Sequence, residues 1–175
     1  MDTIIQASNR YLVIERDPND IDKPELIDIA LLNLESQHFE QIPYFAPGSM
    51  PQLNYPYLVW KNNLRFDNPQ KLTFYNIESH ETYSLPFIGT PNSDVKLFNQ
   101  YPYYQTIINL HGKNSLTFSI TDVMNRKIYI YDPGDGDRGV GNAELGNGFV
   151  VWSLINNMMT NDQETLLCKM PFPFQ

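Results

Sequence analysis

The chain of 175 residues carries 20 acidic against 12 basic side chains, a formal charge of -8, with 42% apolar and 13% aromatic residues. That is one domain's length and too apolar for a disordered chain. No apolar run approaches the ~18 residues of a membrane helix, and negative charge with scattered Lys and Arg opposes nucleic-acid binding, so neither membrane insertion nor a nucleic-acid partner is expected.

At the N-terminus, Asp2 stands where a signal peptide carries positive charge, and no secretory apolar core follows, so no export signal is read there. Strands rich in β-branched and aromatic residues are expected at 3–7, 11–15, 26–34 and 38–43. Residues 26–34 also admit a short helix. The next strands fall at 52–55, 57–61, 71–77 and 82–87. A third group falls at 105–110, 115–121 and 127–131, where the Asp/Gly-rich stretch 132–148 takes the place of a fourth strand. Strands at 149–154 and 164–170 close the chain.

These strands repeat. Tyr11-Leu-Val-Ile-Glu15 matches Tyr57-Leu-Val-Trp-Lys61 at a shift of 46 residues, and Phe149-Val-Val-Trp-Ser153 stands two periods further on. Asn33-Leu-Glu-Ser aligns with Asn76-Ile-Glu-Ser, a hairpin turn in which Asn and Ser side chains satisfy local backbone groups, and the aligned Pro43 and Pro86 end the strands that follow. A period near 46 residues with four strands is the spacing of a β-propeller blade. The expectation is an all-β, propeller-like repeat of about four four-stranded blades, the last one incomplete, in a single domain over 1–175. The blades divide roughly at 1–48, 49–98, 99–141 and 142–175. A β-sandwich is the alternative. Residues 3–7 are a candidate to complete the last sheet and remove an open edge.

The order Tyr57-Leu-Val-Trp-Lys61, Leu72-Thr-Phe-Tyr-Asn76, Ile77-Glu-Ser-His80 resembles a blade of TolB-type or WD40-like propellers. Lys127-Ile-Tyr-Ile-Tyr-Asp-Pro-Gly is similar to the tyrosine strand and Asp/Gly loop of repeat propellers in bacterial and archaeal surface proteins. The Gly-His and Trp-Asp pairs of true WD40 repeats are missing. The resemblance implies a binding scaffold, and it admits a secreted or periplasmic location.

Candidate chemistry is sparse. Asp132, Asp135 and Asp137 sit in a glycine-rich loop whose oxygens suit calcium, although the spacing fails the EF-hand pattern and a solvated turn is the simpler reading. No other cofactor is expected. His38, His80 and His111 read as surface turn residues, and Cys168, the single cysteine, as a structural thiol. Tyr55, Tyr57, Tyr101, Tyr103 and Tyr104 are candidates for a binding face, because aromatics bury large area at little entropy cost; packing between blades is their competing use. The function expected is non-catalytic recognition of a protein or a glycan through loops at one end of the repeat. Two alternatives stand beside it: a glycan-acting hydrolase using acidic loop residues among Asp17, Asp20, Asp22, Glu25, Asp28 and Asp67, and a structural piece of a larger propeller or homo-oligomer.

Overall fold

The computed structural model describes residues 2–16, 28–40, 42, 48–62, 71–91, 94–110, 112–132, 138–146, 148–156 and 166–171. The first sheet is an antiparallel meander of β1 (Asp2–Ser8), β2 (Tyr11–Arg16), β3 (Asp28–Asn33) and β4 (His38–Glu40). The second repeats it with β5 (Gly48–Asn54), β6 (Tyr57–Asn62), β7 (Lys71–Asn76) and β8 (Thr82–Pro86). In the third, the short β9 (Thr90–Pro91) pairs with part of β11, and the meander proper is β10 (Lys96–Phe98), β11 (Tyr101–Leu110), β12 (Lys113–Asp122) and β13 (Lys127–Tyr131). The fourth holds β14 (Arg138–Gly146), β15 (Phe149–Asn156) and β16 (Leu166–Pro171).

Four successive meanders are the blade pattern of a β-propeller, in place of the two facing sheets of a sandwich. No helix occurs among the described residues, and 28–33 is strand. The first two sheets form one compact unit, Met1–Phe87, and the last two form another, Ile88–Gln175.

Three expectations need correction. The stretch after Asp132 supplies β14, a nine-residue strand that opens the fourth sheet, while the third sheet's missing strand is β10, on its other side. Residues 3–7 belong to β1, hydrogen-bonded to β2 in the first sheet. The 46-residue step also slips in the third sheet. Two-residue turns join first and second strands, flanked by the pairs Ser8↔Tyr11, Asn54↔Tyr57 and Phe98↔Tyr101. Tyr101, not Tyr103, is therefore the counterpart of Tyr57. Tyr55-Pro56 forms a turn, whereas Tyr101-Pro102 opens a strand, so the two Tyr-Pro-Tyr copies are not equivalent.

The second hairpin of each sheet is locally encoded. Asn33 Oδ1 accepts from the N–H groups of Glu35 and Ser36 at 3.0 and 3.3 Å, and Asn76 Oδ1 from those of Glu78 and Ser79 at 2.9 and 3.2 Å. Asp122 Oδ1 does the same for Asn125 N–H at 3.1 Å in the third sheet. Each of these loops turns through one residue of positive φ: Gln37, His80 and Arg126. His80 thus takes the fourth loop position while His38 begins β4, one step on.

Alternation in the strands builds the cores. Tyr11, Val13, Ile29 and Leu31 from the first sheet meet Leu53, Leu58, Trp60, Tyr75 and Ile77 from the second. In the other unit Tyr103, Phe118 and Ile120 meet Val140, Ala143, Leu145, Val150 and Trp152. At roughly 25 cal/mol per Å² of apolar surface, a fully buried aromatic such as Trp60 or Phe118 contributes on the order of 3 kcal/mol. The segment entering the third sheet lies tightly on β11: Thr106 Oγ1 donates to Ile88 O at 2.5 Å, and a Cβ on Gly89 (φ +69°) would stand 2.3 Å from Ile107 O. Only glycine fits there.

Candidate functional site

Within the first unit, the β1–β2, β3–β4, β5–β6 and β7–β8 turns all lie at the same end of their antiparallel meanders. The turn residues there are linked side chain to side chain. Glu35 pairs with the Arg10 guanidinium at 2.8 Å, and that guanidinium lies 5.5 Å from the centre of the Tyr11 ring. Tyr11 stacks on Tyr55 with centroids 5.6 Å apart and 13° between planes, and the Tyr55 hydroxyl donates to Glu78 Oε1 at 3.0 Å. Five residues from four turns and strand starts so form one band across two blades. Its hydrogen bond to Glu78 holds the Tyr55 phenol above the usual tyrosine range, burial and the carboxylate's charge adding to it. Arg10 and Glu35 keep 42% and 68% of their side-chain surface, and Glu78 is exposed. Beside the band, Tyr75 OH and His80 Nδ1 lie 2.8 Å apart.

The backbone places this band. The second-strand start Tyr11 points toward the second sheet, and the β5–β6 turn delivers Tyr55 onto it. Ser8 Oγ accepts from Tyr55 N–H at 3.2 Å and Gln6 Oε1 from Leu53 N–H at 2.7 Å, so β1 side chains satisfy the edge of β5 and fix its register.

A second feature lies within the other unit, a cleft of about 40 Å³ lined by Asp94, Lys96, Tyr103, Tyr104, Gln105 and Asn142, room for about three waters. Glu144 stands beside it, paired with Lys96 Nζ and accepting from Tyr103 OH at 2.9 Å. Burial pushes the Glu144 carboxyl up, but these two donors outweigh it and hold it below its ordinary value. Burial, reinforced by the carboxylate, raises the Tyr103 phenol.

The five tyrosines thus divide. Tyr55 belongs to the band and is half-buried against the first core, and Tyr57 is likewise half-buried with its ring 5.2 Å from that of Phe74. The Tyr101 hydroxyl accepts from Gln100 Nε2 at 3.0 Å. Tyr103 and Tyr104 are buried where they line the cleft, with the Tyr104 hydroxyl accepting from Ile88 N–H at 3.4 Å. Of the proposed calcium loop, Asp132 is exposed and accepts from Ser115 Oγ at 2.9 Å, while Asp135 and Asp137 lie outside the described residues. His111, Asp17, Asp20, Asp22, Glu25 and Asp67 also lie outside them. The residues that sequence reasoning missed are Arg10, Glu35 and Glu78; the repeat of Asn-x-Glu-Ser around both glutamates was their signal.

The meanders define a β-propeller-like scaffold. Among solved structures, the chain is similar to an acylaminoacyl peptidase from Pyrococcus horikoshii, with a TM-score of 0.60 and 8% identity over 84% of this chain and 26% of that one. TolB from Acinetobacter baumannii is also similar, at TM-score 0.44 and 8% identity over 98% of this chain and 55% of that one. So is the β-propeller domain of the Trilobed protease from Pyrococcus furiosus, at 0.49 and 16%, over 99% and 69%. Likeness at such identities bears on the fold alone. The chain spans about a quarter of the peptidase and about half of TolB. No protein-family model matches the sequence, and no curated protein does.

Proposed function

We propose that this chain is a recognition module whose contact surface is the turn end of its first two blades. The single observation behind this reading is the band Glu35, Arg10, Tyr11, Tyr55, Glu78, in which the exposed charges of Arg10, Glu35 and Glu78 flank a half-buried Tyr55 stacked on the buried Tyr11. Its aromatic pair is held rigid by stacking, which lowers the ordering cost on binding, and its ends are carboxylates on a chain of net charge -8. That combination favours a protein partner with a basic, flat surface over an acidic one. Turns that tolerate sequence change on a fixed scaffold are where binding residues concentrate.

An array of short peptides of graded net charge, printed beside neutral and acidic glycans, tests it. Saturable retention of basic peptides, weakened at least tenfold by Tyr55→Ala or Glu78→Gln but not by Lys127→Ala, supports the proposal. Retention of glycans alone, or binding indifferent to both variants, overturns it.

A further inference from the structure

Each sheet ends on its last strand in chain order, β4, β8, β13 or β16, and half of the N–H and C=O groups of such a strand point away from its own sheet. Short strands, prolines and charges blunt edges of this kind. β4 has three residues and ends on Glu40, while β8 and β16 end on Pro86 and Pro171. β13 differs. It reads Lys127-Ile-Tyr-Ile-Tyr131, with no proline, and every residue after Lys127 is β-branched or aromatic. Tyr129 and Ile130 are 37% and 42% exposed, and because neighbours in a strand point to opposite faces, both faces of this edge reach solvent. The strand is nonetheless firmly placed: its five residues pair with β12, and the Tyr131 ring centre lies 4.4 Å from that of Trp152.

The order of the residues identifies the partner. Ile128-Tyr129-Ile130 reads the same in both directions, so two copies of the strand can run antiparallel about a two-fold axis at Tyr129. Each Ile128 then faces an Ile130, each Lys127 a Tyr131, and Tyr129 its own copy. One step beyond, Arg126 of each copy faces Asp132 of the other, and both residues are exposed. Opposite charges so bracket apolar and aromatic pairs, and no like charges meet. Asp132 already accepts from Ser115 Oγ at 2.9 Å, which steadies it, and a carboxylate accommodates several donors. An unrelated extended peptide would gain the backbone bonds without this match of side chains.

We infer that β13 is a self-recognition edge, which pairs antiparallel with β13 of a second copy of this chain and joins the two third sheets into one. The contact is isologous and closes with two copies, so that both edges are covered and a third copy finds no place there. Five residue pairs make a short contact, which puts the association in the weak, transient class. It does not depend on the recognition surface of the first unit.

Sedimentation velocity on the full chain through the micromolar range tests this, with circular dichroism and melting curves confirming that each variant folds. The expected species is a dimer and nothing larger. Tyr129→Lys sets two ammonium groups against each other at the axis and raises the dissociation constant at least 100-fold, while Ile4→Lys, at an exposed apolar position of the first sheet, leaves it within twofold. Arg126→Glu, which opposes like charges twice, raises it about tenfold, and adding Asp132→Arg to the same chain restores it. A monomeric wild type, a series of larger species, a dimer that folded Tyr129→Lys leaves intact, or a charge reversal that fails to restore association would each overturn the inference.

Discussion

Glu15 and Gln105 occupy the same position, the fifth from the start of the second strand, and each holds a bulge in the first strand of the sheet that follows. In β5 the register slips between Ser49 and Gln52, and Glu15 Oε2 accepts from Met50 N–H at 3.2 Å. In β14 it slips between Val140 and Ala143, and Gln105 Nε2 donates to Val140 O at 2.9 Å and to Gly141 O. The side chain at this position matches the polarity the bulge offers: an acceptor for an N–H, a donor for carbonyls. Bulges leave backbone groups outside the ladder, and a buried one without a partner costs about 1–3 kcal/mol.

Gln105→Glu should therefore destabilise the protein by about 2 kcal/mol at pH 7, because it sets a carboxylate against two carbonyl oxygens. That environment raises the folded-state pKa of the new acid above its unfolded value, so the loss is small at acid pH and grows as pH rises past the unfolded pKa. Urea unfolding of the variant and the wild type at pH 4 and pH 7 reads the difference directly; an equal loss at both pH values contradicts the polarity match.

The turn asparagines carry the second prediction. Asn33 and Asn76 each cap two backbone N–H groups with one oxygen, and Asp122 shows that a carboxylate serves in the same place. Asn33→Ala and Asn76→Ala should each cost about 1 kcal/mol; Asn76→Asp should cost well under half of that, and Asn33→Asp more than Asn76→Asp, because Asn33 Nδ2 donates to Glu40 Oε1 at 3.1 Å and an aspartate there would face that carboxylate. Thermal melts of the four single variants check it.

These turns explain what was legible in the sequence. The Asn-x-Glu-Ser pair and the Tyr-Leu-Val runs are local signals, since each residue's role is fulfilled within its own hairpin, so most strands of the first two sheets could be read directly. β10 and β14 could not. Lys96-Leu-Phe98 is too short to show a period, and Arg138-Gly-Val-Gly-Asn-Ala-Glu-Leu-Gly146 has the glycines of a loop; it becomes a strand through distant partners, Gln105 at its bulge and Lys96 and Tyr103 at Glu144. The same holds for the site. Aromatic abundance was visible, but the full burial of Tyr103 and Tyr104 and the partial burial of Tyr55 are set by which sheet lies on which face. Arg10 and Glu35 meet across two turns of the first sheet, and Glu78 joins them only through Tyr55, where the second sheet's turn meets Tyr11.

Trp60 and Trp152 are matched positions with unmatched partners, which gives the third prediction. Trp60 Nε1 donates to Asn62 Oδ1 at 3.2 Å, while Trp152 Nε1 is buried without a hydrogen-bond partner among the described residues, and Leu154 stands where Asn62 would be. Asn62→Leu should cost about 1–2 kcal/mol despite adding apolar surface, because it strands a second indole N–H. Trp152→Phe should cost less than Trp60→Phe, since it removes a donor that has no acceptor. Chemical denaturation of the three variants decides; equal costs for the two Trp→Phe changes count against the argument.

Glu144 contributes to the acid limb of stability in the second unit. Burial opposes its ionisation, yet Lys96 and the Tyr103 hydroxyl outweigh burial and lower its folded pKa. A depressed carboxyl contributes stability that is fully present above the unfolded pKa, about 4.3, and is lost as pH falls through the folded value. Its partner works in the opposite sense. Tyr103 has a raised pKa, so the preference for the neutral phenol is present below about pH 10 and fades as pH rises above it. Glu144→Gln should flatten the fall in melting temperature below pH 4.5 and leave the midpoint at pH 7 lower than in the wild type. Tyr103→Phe, which keeps the buried ring but removes the hydroxyl, should weaken the acid dependence and abolish this residue's share of the alkaline one. Melting curves taken from pH 3 to pH 11 on both variants separate the two limbs, and an unchanged acid slope in Glu144→Gln would place the titrating group elsewhere.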